Sequence, residues 1–401
     1  MTTNTTTPSA SATTATTSAA LIPQSKLPAL GTNIFSQMSA LAQKHNAINL
    51  SQGFPDFDGP EYLRQQLSVH VAAGSNQYAP MTGTPALRNA IADKTELGYG
   101  YRPDAETDIT ITSGATEALY IAITALVSPG DEVISFDPSY DCYAPAVQLA
   151  GGVSKRIQLL PPEFKVDWSH FADQITDRTK VIIINTPHNP TATAWTHSDV
   201  DRLWQIIADR NIFVISDEVY EHICFAKEGH ASVLRHPELR QRAITVSSFG
   251  KTFHMTGWRV GYCVAPAAIS LELRKIHQFL TFAITTPVQL ALADMLREQP
   301  EHWQELPEFY QAKRDRLAAG LANSRLKVLP SEGTYFLLVD YSAVSDLDDV
   351  AFCHWLVEHV GVAAIPLSVF CADPFPHKLI RLCFAKKEAT LDAAAERLCQ
   401  L

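Results

Sequence analysis

The sequence is short of several features that would each direct a reading elsewhere. It has no run of about 18 consecutive apolar residues, the least that crosses a bilayer as a helix, so no membrane association is expected. It has no basic tract. Its 32 Lys and Arg are outweighed by 42 Asp and Glu, a net charge of −10. A nucleic-acid surface needs clustered cations to displace counterions from phosphates, so no nucleic-acid partner is expected either. The N-terminus lacks the basic and apolar regions of a secretory signal. Its first basic residue is Lys26, which argues against an Arg-rich organelle address. Cysteine is present but unorganised: seven residues, an odd number, with no C-x-x-C pair. A disulfide framework is not expected in so long a chain, nor is a metal site, and a reducing cytoplasm is the simplest compartment.

What is there suits an ordinary globular enzyme. The chain has 401 residues, 46% hydrophobic and 18% charged. That exceeds what one core usually serves, so two domains are expected. Residues 1–20 form a Thr/Ser/Ala tract with little to bury and read as a disordered tail. Residues 21–58 read as an arm that packs with the smaller domain or lies across a partner subunit. Across 59–295, apolar β-branched runs at 109–112, 132–136, 181–185, 212–216 and 243–247 alternate with helical patterns at 116–126, 143–149 and 198–210. Strands alternating with helices imply an α/β fold with a mostly parallel sheet covered on both faces. Residues 296–401 read as a smaller α+β domain. Its expected elements are helices at 307–321, 349–359 and 390–401, and strands at 326–329, 334–340 and 380–384.

Polar residues mark the strand ends: Ser113-Gly114, Asp137, Asn185, Asp217 and Ser247-Ser248. In open α/β sheets, ligands bind beyond those ends. Lys251, just after a buried strand, can project its amine into a cleft, where desolvation makes it nucleophilic. Arg259, eight residues on, is suited to a phosphate, and Ser248 adds a hydroxyl. Alone, a lysine and a nearby arginine are more often a solvated pair. Thr112-Ser113-Gly114-Ala115-Thr116-Glu117-Ala118 runs from strand through glycine turn to helix, an anion seat or an ordinary βα turn. Asp217 ends an apolar strand and could partner a pyridinium nitrogen, with Tyr220 reaching the same ring; the plainer alternative is a helix N-cap. Asn189, in the loop 185–191, offers an amide. Arg381, within an apolar strand, needs an anion, either a substrate carboxylate or a structural acid.

Together these strings resemble the class I/II aminotransferases of the fold type I pyridoxal-phosphate enzymes. The resemblance rests on Ser248, Lys251 and Arg259 in S-x-x-K-x-x-x-x-x-x-x-R, on S-G-A-T-E-A, H-N-P-T and D-E-V-Y. It covers residues 21–401. The strings 49–57 and 136–143 are similar to those of bacterial methionine aminotransferases within the kynurenine–oxoglutarate transaminase subgroup. The resemblance implies a large domain with a mostly parallel seven-stranded sheet, a smaller α+β domain, and pyridoxal 5'-phosphate as cofactor. Lys251 would then be the Schiff-base lysine and Asp217 the pyridinium partner, while Asn189 and Tyr220 meet the phenolic oxygen. Ala115, Thr116, Ser248 and Arg259 would hold the phosphate, and Tyr140 would stack on the ring. Gly53, Asn189 and Arg381 would bind the substrate. Tyr78 would reach the neighbouring site of a homodimer with shared active sites. The family often has N-P-T-G, and here Ala192 replaces the glycine.

The expected reaction is a two-step exchange of an amino group between an amino acid and a 2-oxo acid. Phe54, Tyr78, Tyr140 and Phe282 suggest an apolar lining suited to methionine, aromatic amino acids, histidine or kynurenine. A β-lyase acting on cysteine conjugates would use the same lysine, aspartate and phosphate seat. A ligand sensor built on this fold would need a DNA-binding domain, which the N-terminal tract cannot supply.

Overall fold

The computed structural model describes residues 1–2, 24–28, 30–31 and 33–401. Past its first two residues, the tail expected at 1–20 lies outside the described residues. The chain divides into two units, Met1–Gly31 and Thr32–Leu401, and the second holds all that follows.

After a short strand, β1 (Ile48–Asn49), seven strands build the main sheet: β2 (Ile109–Thr112), β3 (Glu132–Asp137), β4 (Val153–Gln158), β5 (Thr179–Asn185), β6 (Phe213–Asp217), β7 (Ala243–Ser248) and β8 (Gly261–Val264). Their spatial order is β2-β8-β7-β6-β5-β3-β4. β3 and β7 are buried at every residue, and β5 and β6 at all but one. Such continuous apolar runs are what a sheet covered on both faces requires. Successive side chains of a strand point to opposite faces. Accordingly Val181 and Ile183 join the core under helix Gly114–Leu126, and Ile182 and Ile184 join the larger core opposite.

β8 was not anticipated from the sequence, and it runs antiparallel to both neighbours, β2 and β7. Its first residue, Gly261, pairs with Thr112 at the end of β2 and with Ser248 at the end of β7. The chain thus enters β8 at the edge where β2 and β7 finish, which brings the segments 113–116, 248–251 and 259–261 together.

A smaller antiparallel sheet follows: β9 (Lys327–Val328), β10 (Phe336–Asp340), β12 (Ile365–Pro366) and β13 (Leu379–Cys383), ordered β12-β13-β10-β9. Between them β11 (Val362–Ala363) pairs in parallel with β1, Ile48 against Val362. That pairing carries residues 50–53 alongside β13, where the Cys383 amide donates to the Leu50 carbonyl at 2.8 Å. The helix expected across 349–359 is α-helical over Asp349–Trp355 and finishes in a wider π turn, Leu356–Val360, closed by Gly361 at φ 74°. Among the described residues, no helix is long and apolar enough to cross a membrane.

Candidate active site

At the carboxyl edge of the main sheet lies a cavity of about 530 Å³. It is lined by Ala115, Thr116, Leu119, Tyr140, Asn185, Asn189, Asp217, Val219, Tyr220, Ser248, Lys251 and Arg259. One end is a seat for an anion. Gly114 stands at φ 75°, in the left-handed region open to glycine, and starts helix Gly114–Leu126 with its first amides facing the cavity end. A Cβ on Gly114 would come within 2.9 Å of Arg259 Nη2, so the absence of a side chain lets the guanidinium sit against the helix start. Arg259 itself is held at φ 54°, a strained conformation of the kind that surrounding structure enforces at functional sites. Amides, helix dipole and a fixed cation converge on one point.

Across the cavity is Asp217. Its carboxylate accepts a hydrogen bond from Tyr143 Oη at 2.6 Å and one from the Val219 amide at 3.3 Å. Burial raises its pKa to about 6 against the pull of the Tyr143 bond, so this acid is short of positive charge. No helix follows β6; the chain turns, so the helix N-cap reading of Asp217 does not hold. Lys251 lies on the one-turn helix Phe249–Thr252 and donates to Tyr335 Oη at 2.9 Å. Desolvation lowers its pKa to about 8, with the Arg259 and Arg381 charges pushing the same way. The Tyr335 hydroxyl donates onward to the Gly53 carbonyl at 2.5 Å.

The third group is Arg381, fully buried on β13. Its Nη1 donates to Asn189 Oδ1 at 2.6 Å and its Nη2 to the Ser51 carbonyl at 3.4 Å, while its Nε has no partner. Phe336 lies under the guanidinium at 3.7 Å, with Phe370 at 4.9 Å and Phe35 at 5.4 Å. Burial without a carboxylate partner lowers its pKa to about 10. Since arginine only donates, Asn189 must present its oxygen to Arg381, which leaves its NH₂ for the cavity. The Asn189 amide donates to Asn185 Oδ1 at 2.8 Å, and Asn185 Nδ2 to the Asp217 carbonyl at 2.9 Å, so one asparagine registers both strand ends.

Of the residues singled out in the sequence, Ala115, Thr116, Tyr140, Asn189, Asp217, Tyr220, Ser248, Lys251 and Arg259 line this one cavity. Gly53 and Arg381 adjoin it through the hydrogen bonds above. Tyr78 does not; it is exposed and meets the half-exposed Phe282 edge-on at 5.4 Å, away from the cavity of its own chain. Phe54 and Phe282, expected in the side-chain pocket, do not line the cavity either. Tyr143 and Tyr335, which touch Asp217 and Lys251, were missed. Ala192, in place of the usual glycine, holds the left-handed φ of 62° that a glycine would take without strain.

The groups present fit pyridoxal phosphate: an anion seat, a buried acid lacking a cation, and an amine of lowered basicity. Among the described residues, no cluster of His, Cys, Asp or Glu is arranged to hold a metal. Fold and site therefore define a pyridoxal-phosphate enzyme of fold type I. A profile of the family Aminotransferase class I and II matches residues 45–398, and the chain belongs to that family. It is 71% identical to the methionine aminotransferase of Escherichia coli over 95% of this chain and 99% of that one. A solved Escherichia coli structure assigned a methionine aminotransferase function superposes with a TM-score of 0.94 at 71% identity, covering 95% and 100% of the two chains. The N-succinyldiaminopimelate aminotransferase structure of Mycobacterium tuberculosis follows at 39% identity, TM-score 0.91, covering 94% and 100%. Mouse kynurenine–oxoglutarate transaminase 3 is 34% identical over 92% of this chain and 88% of its own. The chain is thus a pyridoxal-phosphate-dependent aminotransferase.

Proposed function

We propose that this aminotransferase takes the amino group of L-methionine, and also of aromatic amino acids or histidine, and gives it to a 2-oxo acid. The observation that carries the reading is the charge inventory of the cavity, taken with the 71% identity to a methionine aminotransferase. Its cations are Lys251 and Arg259, with Arg381 adjoining. Each has a task, and none is left to pair a side-chain carboxylate, so neutral side chains are favoured.

Bound there, pyridoxal phosphate supplies an aldehyde that condenses with amines and a ring that accepts electrons from the α-carbon. The chain's own residues do the rest. Arg381 binds the substrate carboxylate, beside the Gly53 segment and Asn189. Lys251, whose dry site lowers its pKa to about 8 and so eases loss of its proton, takes the α-proton and returns it one carbon away. Asp217 keeps a proton on the ring nitrogen, oriented by the Tyr143 hydroxyl. Tyr220 and the Asn189 NH₂ serve the ring oxygen, and Tyr140 packs on the ring face. The helix start at Ala115 and Thr116, with Ser248 and Arg259, holds the phosphate. The reading includes a large domain at 59–295, a smaller one at 296–401, an arm at 21–58, a homodimer in which Tyr78 serves the partner's site, and a cytoplasmic location.

The test is a half-reaction. Purified holoenzyme and L-methionine, with no acceptor, should yield pyridoxamine phosphate and one equivalent of 4-methylthio-2-oxobutanoate per site, and Lys251→Ala should abolish the conversion. Ammonia, methanethiol and 2-oxobutanoate in place of 4-methylthio-2-oxobutanoate would make the enzyme a lyase. An unchanged cofactor spectrum would move the substrate to another amino acid.

A further inference from the structure

The Arg381 guanidinium is packed between aromatic rings, but only Phe336 belongs to the sheet that carries it. Phe370 comes from the loop after β12, and its ring also meets Phe35 at 5.8 Å. What fixes that loop lies on the main sheet. Arg156, on the edge strand β4, points its Nη2 at both the Asp137 carboxylate and the Phe370 carbonyl. Asp137, the last residue of β3, accepts the Ala372 amide with its other oxygen at 2.9 Å. The Ser139 amide donates to the same Phe370 carbonyl at 3.0 Å. Both charged side chains are largely withdrawn from solvent, 16% and 6% exposed, so the pair cannot be dismissed as a screened surface contact. None of these groups lines the cavity.

We propose that Arg156 and Asp137 are positioning residues for substrate binding: they clamp residues 370–372 so that Phe370 holds the Arg381 guanidinium in the plane that receives the substrate carboxylate. A planar bidentate contact is sensitive to tilt, and aromatic walls set that tilt. Amino acid and 2-oxo acid carry the same carboxylate, so the clamp acts on both substrates alike. Arg156, Asp137 and Phe370 all lie outside the lining of the cavity that would hold the cofactor, so cofactor binding should be retained. The inference rests on reading Arg381 as the carboxylate-binding residue.

Steady-state kinetics of the holoenzyme test it. Arg156→Met should raise KM for L-methionine and for the 2-oxo acid together, by about tenfold, the scale of a small misplacement of a positioning group. kcat should stay within about twofold, and the cofactor absorption spectrum should be unchanged. Arg156→Lys, which keeps one donor, should recover part of the loss. Phe370→Leu should raise the same two KM values, and in the double variant the effects should not multiply, because both remove one contact. If Arg156→Met does not fold, Phe370→Leu with Asp137→Asn carries the same cycle. Unchanged KM values, a loss confined to kcat, or fully multiplicative effects would overturn the clamp. Arg381→Ala separates the two readings. If it leaves KM low, the assignment of Arg381 falls; if it raises KM while Arg156→Met does not, only the clamp falls.

Discussion

The site's main residues are uncomfortable in the folded apoprotein, and that discomfort can be measured. Asp217 is held at about 6, above the ordinary carboxylate value near 4, by burial. Between those values the folded chain binds more protons than the unfolded one, so stability falls as pH rises through the window. Above about 6 the folded apoprotein carries the full penalty, about 2–3 kcal/mol. Asp217→Asn removes the charge and keeps an acceptor for the Tyr143 hydroxyl. Urea unfolding of the apoprotein at pH 7.5 should therefore show a gain of about 2 kcal/mol, shrinking below pH 6 and gone below about 4. Loss of stability at pH 7.5 would mean that Asp217 already has its counter-charge. Asp217 was legible in the sequence as a polar residue ending an apolar strand, Lys251 as an amine just after one, and Arg259 by its place eight residues on from Lys251. Tyr143 and Tyr335 were not. A tyrosine at the start of a helix or strand reads as core, and only packing shows that its hydroxyl faces Asp217 or Lys251.

The parallel strands could be read from β-branched runs between helices, because burial on both faces leaves an unbroken apolar signature. β8 could not. Gly261-Tyr262-Cys263-Val264 opens on a glycine and lacks a β-branched run, and its direction depends on neighbours about 150 and about 15 residues away in the chain. Yet β8 brings together the segments of the anion seat proposed for the phosphate, and its glycine tests that. A Cβ on Gly261 would stand 2.7 Å from the Ser247 carbonyl oxygen, 2.8 Å from the Ala115 nitrogen and 2.9 Å from the Gly114 carbonyl carbon. All three are backbone atoms of elements locked in the sheet or helix, so nothing yields. Gly261→Ala should cost about 2–3 kcal/mol in urea unfolding and weaken cofactor binding in a dialysis assay. Gly98, inside helix Pro85–Tyr99 with nothing within 4 Å of its added Cβ, is the contrast. Gly98→Ala should stabilise by about 0.5–1 kcal/mol through helix propensity and leave cofactor binding alone. Equal effects at the two glycines would remove β8 from the seat.

At the scale of the molecule, one surface does not suit a monomer in water. Tyr78 and Phe279 are more than four-fifths exposed, Leu280 and Phe282 about half, and Tyr78 and Phe282 rest against each other. The exposed Tyr78–Phe282 pair, with Phe279 and Leu280 just before Phe282 in the chain, is the kind of feature an association site presents. It fits the proposed homodimer, in which Tyr78, absent from the cavity of its own chain, serves the partner's. Hybrids distinguish that from mere packing. Lys251→Ala has no amine for the chemistry, and Tyr78→Ala should be impaired in holding cofactor. Mixed after mild denaturation, half of the dimers should be hybrid. In a hybrid the subunit with intact Lys251 receives Tyr78 from its partner, and the other site has neither. About a quarter of the wild-type activity should then return from two parents of low activity, by symmetry of the shared interface. If Tyr78 acts within its own chain, each hybrid subunit keeps its own defect and nothing returns. Sedimentation of each parent settles the remaining case: a particle of twice 44.1 kDa without recovery would keep the dimer and remove Tyr78 from the shared site.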